Sequence, residues 1–134
     1  MRTIVLAVGR LQPPYADDVQ HYQKLLAGHT RVELVELRDE EKVDGRIPDR
    51  AFTVLLHPDG KMFDSIGFST WMEERRRSGQ DLCFVVGGPR GLDLRADMRL
   101  SFGPMTLPHQ LARVVLLEQI YRAHKILARE PYHY

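Results

Sequence analysis

The chain has 134 residues, with 19 Lys/Arg against 18 Asp/Glu, six histidines and one cysteine. This length fits a single domain, 1–134, with a real core. The lone Cys83 excludes an intramolecular disulfide, and the lack of a signal peptide or of an apolar run of spanning length predicts a cytoplasmic protein with no membrane partner. The net charge of +1 is unevenly spread: residues 1–74 carry nine Lys/Arg and thirteen Asp/Glu, a net −4, and residues 75–134 carry ten and five, a net +5. Such asymmetry fits a polyanion met by one face, and it fits ordinary scatter of surface charge equally well.

Residues 2–8 are apolar and β-branched and predict a buried strand ended by Gly9. After the Gln12-Pro13-Pro14 loop, Tyr15 to Ala27 predicts a helix. Val19, Tyr22, Leu25 and Leu26 share one face, Asp17 and Asp18 sit in the first turn where the helix dipole favours them, and Gly28 ends it. Val32 to Leu37 alternates apolar and acidic, the pattern of a half-exposed strand. Arg38 to Arg50 is charged, with only Val43 and Ile47 apolar, and predicts a loop. Ala51 to Leu56 predicts a strand and His57-Pro58-Asp59-Gly60 a tight turn. A helix follows Asp64-Ser65-Ile66, with Thr70 and Glu73 able to form a capping box unless the helix starts earlier. Its end, Arg75-Arg76-Arg77-Ser78-Gly79, fits a solvated last turn better than a nucleic-acid patch.

Leu82 to Val86 predicts a fully buried strand, with Cys83 as a small inert hydrophobe. Gly87-Gly88-Pro89-Arg90-Gly91 follows at once. Glycines at a strand's carboxyl end let a ligand approach the backbone, as at the crevice of an open α/β sheet, but the spacing matches no phosphate loop and a plain turn fits it too. Asp93 to Asp97 predicts one helical turn, and Leu100 to Phe102 a last short strand.

The final helix starts with Pro108 at its first position, Thr106 as the better cap, and stops at Pro131. Its middle, from Leu111 through Val114, Val115, Leu116, Leu117, Ile120 and Tyr121, is apolar nearly all round, so several faces are buried, one of them plausibly by a second subunit. One polar stripe, Glu118, Arg122, Lys125 and Arg129, fits a solvated face or a ligand-facing one, with Glu118 and Arg122 paired at i,i+4.

Strands alternate with helices as β-α-β-loop-β-α-β-turn-β-α, which predicts an α/β fold with a largely parallel open sheet flanked by helices. The histidines lack metal-ligand spacing and no Ser-His-Asp order is present, so no metal is expected.

The run from Met105 to Ile126, MTLPHQLARVVLLEQIYRAHKI, followed by Glu130-Pro131-Tyr132-His133-Tyr134, resembles the C-terminal signature of the RlmH (YbeA-like) family of SPOUT-superfamily methyltransferases. Phe84 to Leu92 is similar to that family's glycine loop, and Thr3 to Gly9 to its first strand. The resemblance implies a C-terminal trefoil knot, which elementary rules of chain connection would not suggest. It also implies S-adenosylmethionine-dependent methylation of N3 of a pseudouridine in 23S ribosomal RNA by a homodimer. The substrate would be met in the assembled ribosome, without DNA.

By the same resemblance the donor pocket falls on Leu56, Gly87 and the run Phe102, Gly103, Pro104, Met105, Thr106, Leu107. His133 and Arg122 become candidates for proton removal and anion stabilisation, Tyr132 for stacking on a base, and His109 and Arg113 for orienting substrate. The chain departs from the family pattern in its short 38–50 segment, in Asp64-Ser65-Ile66 where relatives carry Ser-Ser-Glu, in Gly103-Pro104 where they carry a serine, and in the terminal Tyr134 where they carry Lys or Arg. Two alternatives stay open: a SPOUT enzyme with another RNA target, and a non-enzymatic ribosome-binding dimer on a decayed scaffold.

Overall fold

The fold is described from a computed structural model over residues 1–88 and 92–132. Five strands form one wholly parallel sheet: β1 (Thr3–Val8), β2 (Val32–Leu37), β3 (Phe52–Lys61), β4 (Leu82–Val86) and β5 (Met98–Leu100), in the order β2-β1-β4-β3-β5. β1 and β4 lie in the middle with every residue buried, as their unbroken apolar runs require of a sheet covered on both faces. β2, which alternates with Glu33 and Glu36, lies at an edge.

Three helices cover one face: α1 (Tyr15–Leu26), α3 (Ser65–Ser78) and α4 (His109–Leu127). Val5, Ala7, Val54, Phe84 and Val86 from the sheet meet Val19, Phe68, Trp71, Leu116, Leu117 and Ile120 from these helices. α4 lies between α1 and α3, which explains why its middle is apolar on several sides.

The opposite face has a thinner cover. Ile4, Leu6, Val8, Leu55, Cys83 and Val85 pack there against Val43, Ile47, Leu92, Leu94 and Ala96. Two predicted elements change for this reason. The 38–50 segment is not a plain loop: it holds a short 3-10 turn, Glu40–Lys42, and α2 (Val43–Arg46). Val43 and Ile47, four residues apart, put their side chains on the sheet. Asp93 to Asp97 makes no helical turn, because Leu92, Leu94 and Ala96 reach the same face with the period of extended chain.

Other boundaries shift with their caps. α3 starts at Asp64, whose carboxylate accepts from the Gly67 backbone N–H at 2.6 Å, so Thr70 and Glu73 lie inside the helix and form no capping box. α4 has Pro108 as its N-cap with no side-chain cap from Thr106. It ends at Leu127, before Pro131, in a left-handed turn at Arg129 (φ 57°), where Arg129 N–H donates to the Ile126 carbonyl and Glu130 N–H to the Lys125 carbonyl, a Schellman arrangement. β5 is Met98–Leu100 where Leu100–Phe102 was expected.

Candidate functional site

The carboxyl ends of the central strands are built for close approach. β3 pairs with β5 up to Leu56, bulges through His57–Gly60, and pairs again at Lys61, both Leu56 and Lys61 facing Leu100. The predicted turn is thus an irregularity inside one long strand. Gly60 is required there by space: a Cβ would sit 2.6 Å from backbone atoms of Arg99 and Leu100. The bulge stands beside the segment that follows β5. In that segment Gly103 takes φ +122°, and the buried Ser101 hydroxyl accepts from Gly103 N–H at 3.0 Å and donates to the Gly103 carbonyl at 3.1 Å. Ser101 was not singled out from sequence, although a serine two residues before a glycine at a strand end is a readable turn signal.

Between these pieces lies a cavity of about 180 Å³. Leu56, His57 and Pro58 bound it from β3, Val86, Gly87 and Gly88 from β4, Leu100 to Gly103 and Met105 to Leu107 from the segment after β5, and His109 and Ala112 from α4. Seven of the eight residues expected at a donor pocket line it, Leu56, Gly87, Phe102, Gly103, Met105, Thr106 and Leu107, and Pro104 does not. The cavity is open on one side, where Met105 is 83% exposed and Phe102 37%. A larger groove of about 430 Å³ shares Leu100 to Gly103 with it and continues to Met62, Ser65 and Gln119. That groove touches neither β4 nor the Met105–Leu107 run, so the smaller cavity is the one at the sheet's carboxyl edge.

The start of α4 is pinned to the loop after β1. Arg113 is 2% exposed; its guanidinium donates to the Gly9 carbonyl at 3.1 Å and to Glu36 at 3.3 Å. Glu36 also accepts from Leu11 N–H at 2.6 Å, and Gln110 accepts from Gln12 N–H at 2.8 Å. Burial lowers the pKa of Arg113 while Glu36 raises it. Burial, and next the Arg113 charge, hold His109 below the ordinary imidazole value, so it is neutral at pH 7.

Arg122 and Tyr132 lie elsewhere. Arg122 pairs with Glu118 at 2.9 Å, its guanidinium carbon 4.8 Å from the centre of the Tyr132 ring. The Tyr132 hydroxyl donates to Glu118 at 2.8 Å, and its ring meets Tyr121 edge-to-face at 4.8 Å. Burial and the bond to Glu118 push the Tyr132 phenol up, so it stays protonated at neutral pH. The polar stripe is therefore a half-buried network that ties the tail to α4, with side-chain exposures of 21% for Arg122 and 17% for Glu118. His133 and Tyr134 lie outside the described residues, as do Pro89, Arg90 and Gly91. Glu118 is nine residues past His109, about 14 Å along a helix, and Arg122 about 20 Å. Neither Glu118, Arg122 nor Tyr132 lines the cavity, and the last residue of α4 that does is Ala112.

The remaining nucleophile, Cys83, is buried in β4, its thiol pushed up to about 11 by burial. No metal-binding cluster occurs among the described residues, and no helix among them is long and apolar enough to cross a membrane.

An open parallel sheet with a glycine-bearing crevice at its carboxyl edge, walled by the segment before the last helix, defines a small-ligand-binding α/β domain. The comparisons make that class specific. The family model described as "Predicted SPOUT methyltransferase" matches residues 1–133. Proteins named "Ribosomal RNA large subunit methyltransferase H" from Gemmatimonas aurantiaca, Streptococcus gordonii and Leuconostoc citreum are 35%, 36% and 37% identical to the chain, each alignment covering 99% of both sequences. The alignments run over 153 to 158 positions, more than the 134 of this chain, so the relatives carry residues that it lacks. The chain belongs to the SPOUT methyltransferase family.

Proposed function

We propose that the chain is a ribosomal RNA methyltransferase that uses S-adenosylmethionine and acts, as a cytoplasmic homodimer, on N3 of a pseudouridine of 23S rRNA in the assembled ribosome. The observation that carries the donor half is the convergence of residues from β3, β4 and the segment after β5 on one cavity at the sheet's carboxyl edge. This is also the stretch where the family's knotted crossing would lie.

The lining fits the donor. Leu56 offers an apolar wall, Gly87 a wall without a side chain, and the Phe102–Leu107 run backbone groups around a left-handed Gly103. Bound there, S-adenosylmethionine supplies an activated methyl and its own leaving group. The protein's work is then to orient the two reactants and to manage one proton. Forming the N–CH₃ bond at a ring N–H frees that proton: His133 takes it, Arg122 stabilises the negative charge that develops, and Tyr132 holds the tail through Glu118. Glu118 and Arg122 lie six and ten residues past Ala112, the last residue of α4 to line the cavity, about 9 and 15 Å along the helix, and this separation favours a site completed by the partner subunit's tail.

Calorimetric titration of the purified protein with S-adenosylmethionine tests the donor half. The expected result is micromolar binding, lost in Gly87→Leu. A folded dimer that does not bind the donor, with or without rRNA fragments, would leave the decayed ribosome-binding scaffold as the better account.

A further inference from the structure

A fully buried arginine is an expensive way to fill a core position, because its charge must leave water. Arg113 is 2% exposed and lies on the inner face of α4, in line with Leu116, Leu117 and Ile120. A leucine or methionine would pack there without that cost. What only a long, forked cation supplies is a link between three separated pieces of chain: the Gly9 carbonyl at the end of β1, the Glu36 carboxylate on β2, and the first turns of α4. Glu36 extends the link by accepting from Leu11 N–H, and Gln110 adds a second tie by accepting from Gln12 N–H.

These ties bear on one place. His109 lies one turn before Arg113 and lines the cavity, as does Ala112. A Cβ on Gly9 would come within 3.4 Å of the His109 Nε2, so the imidazole already rests against the strand end that Arg113 grips. The Met105–Leu107 wall leads directly into the helix so fixed. We infer that Arg113 is a positioning residue for methyl-donor binding, fixing His109 and the wall before α4 against the β1 strand end. This rests on the donor-pocket reading above. Arg113 does not line the cavity; it would act through the residues that do.

The test is calorimetry with S-adenosylmethionine on the full-length protein, with melting temperatures measured in parallel, for wild type, Glu36→Gln, Arg113→Lys, Arg113→Met and a control, Leu26→Ala. Leu26 is buried in the last turn of α1 and does not line the cavity. Misplacing a binding group by even an ångström is costly, so Arg113→Met should weaken the donor about tenfold or more, with Arg113→Lys partly rescuing and Glu36→Gln mildest. Glu36 is about half exposed, and a glutamine keeps an oxygen that can accept from Arg113 and from Leu11 N–H, so that variant removes the counter-charge while leaving hydrogen-bond partners in place. Leu26→Ala should lower the melting temperature yet bind as wild type does. Unchanged affinity in the folded Glu36→Gln and Arg113→Lys variants overturns the inference, as does equal weakening by Leu26→Ala at equal loss of melting temperature. Wild type that fails to bind the donor overturns the donor-pocket reading and the inference together.

Discussion

The two ends of α4 do different work. Its first turns are tied by Arg113 and Gln110 to the loop after β1 and wall a cavity assembled from three strands of one chain. Its second half holds Glu118 and Arg122, which with Tyr132 of the tail form a polar network that does not line that cavity. The first end is complete within one chain. The second is an ordered network whose Glu118, Arg122 and Tyr132 do not line that cavity. On the proposed reading, ligand binding and proton handling would be separate modules on one helix, joined where two copies face each other.

The largest expected effect falls on the frame of the first module. Gly60→Ala drives a Cβ to 2.6 Å from the backbone of β5, where no flexible side chain can yield. It should cost about 3 kcal/mol, read as a fall in the urea midpoint, with donor binding weakened in what remains folded. The second module should break with the opposite signature. Tyr132→Phe removes the hydroxyl that donates to Glu118, a bond to a charged group worth about 1.5–3 kcal/mol locally. Methylation should fall about tenfold through kcat while the donor Kd stays that of wild type. A raised donor Kd in Tyr132→Phe would erase the separation between the modules.

The smallest effect is a pH dependence at the far end of the same helix. Burial first, and then His29, lower the pKa of His124 from its ordinary 6.5, with Arg76 acting in the same sense and Glu73 against it. The unfolded chain therefore binds the proton more readily. Stability should be full above pH 6.5 and fall by a few degrees of melting temperature as pH drops through the lowered folded value. His124→Phe should flatten part of that slope; an unchanged slope would show that other groups carry it.

Much of this was legible in the residues, and the misses share a cause. β4 falls on its predicted residues, and β1 within one, because an unbroken apolar run between polar breaks has little else to do in an α/β chain. The bulge of β3 was not legible, since it exists only because β5 offers Leu100 to two residues of its neighbour. The short cover of the sheet's second face was hidden by the charges around Val43 and Ile47, although their four-residue spacing carried the signal. Arg113 shows the same lesson at the site. Charge suggests a surface, but its spacing with Leu116, Leu117 and Ile120 puts it on the buried face, and periodicity wins. The donor-pocket residues were picked by family resemblance, and their convergence needed the fold. Arg122 was picked the same way, and the fold shows that it does not line that cavity, while His133 lies outside the described residues.

The most direct test of the two-module account is complementation. A Gly87→Leu chain, defective in donor binding, is mixed one-to-one with an Arg122→Ala chain, defective in the acceptor module, after unfolding and refolding together, and methylation of ribosomal RNA is measured. If each site joins one chain's cavity to its partner's tail, random pairing should restore about a quarter of wild-type activity, because half the dimers are mixed and one of their two sites is intact. No activity above the separate variants, with mixed dimers demonstrated by mass, would contradict the account and place both modules of each site in a single chain.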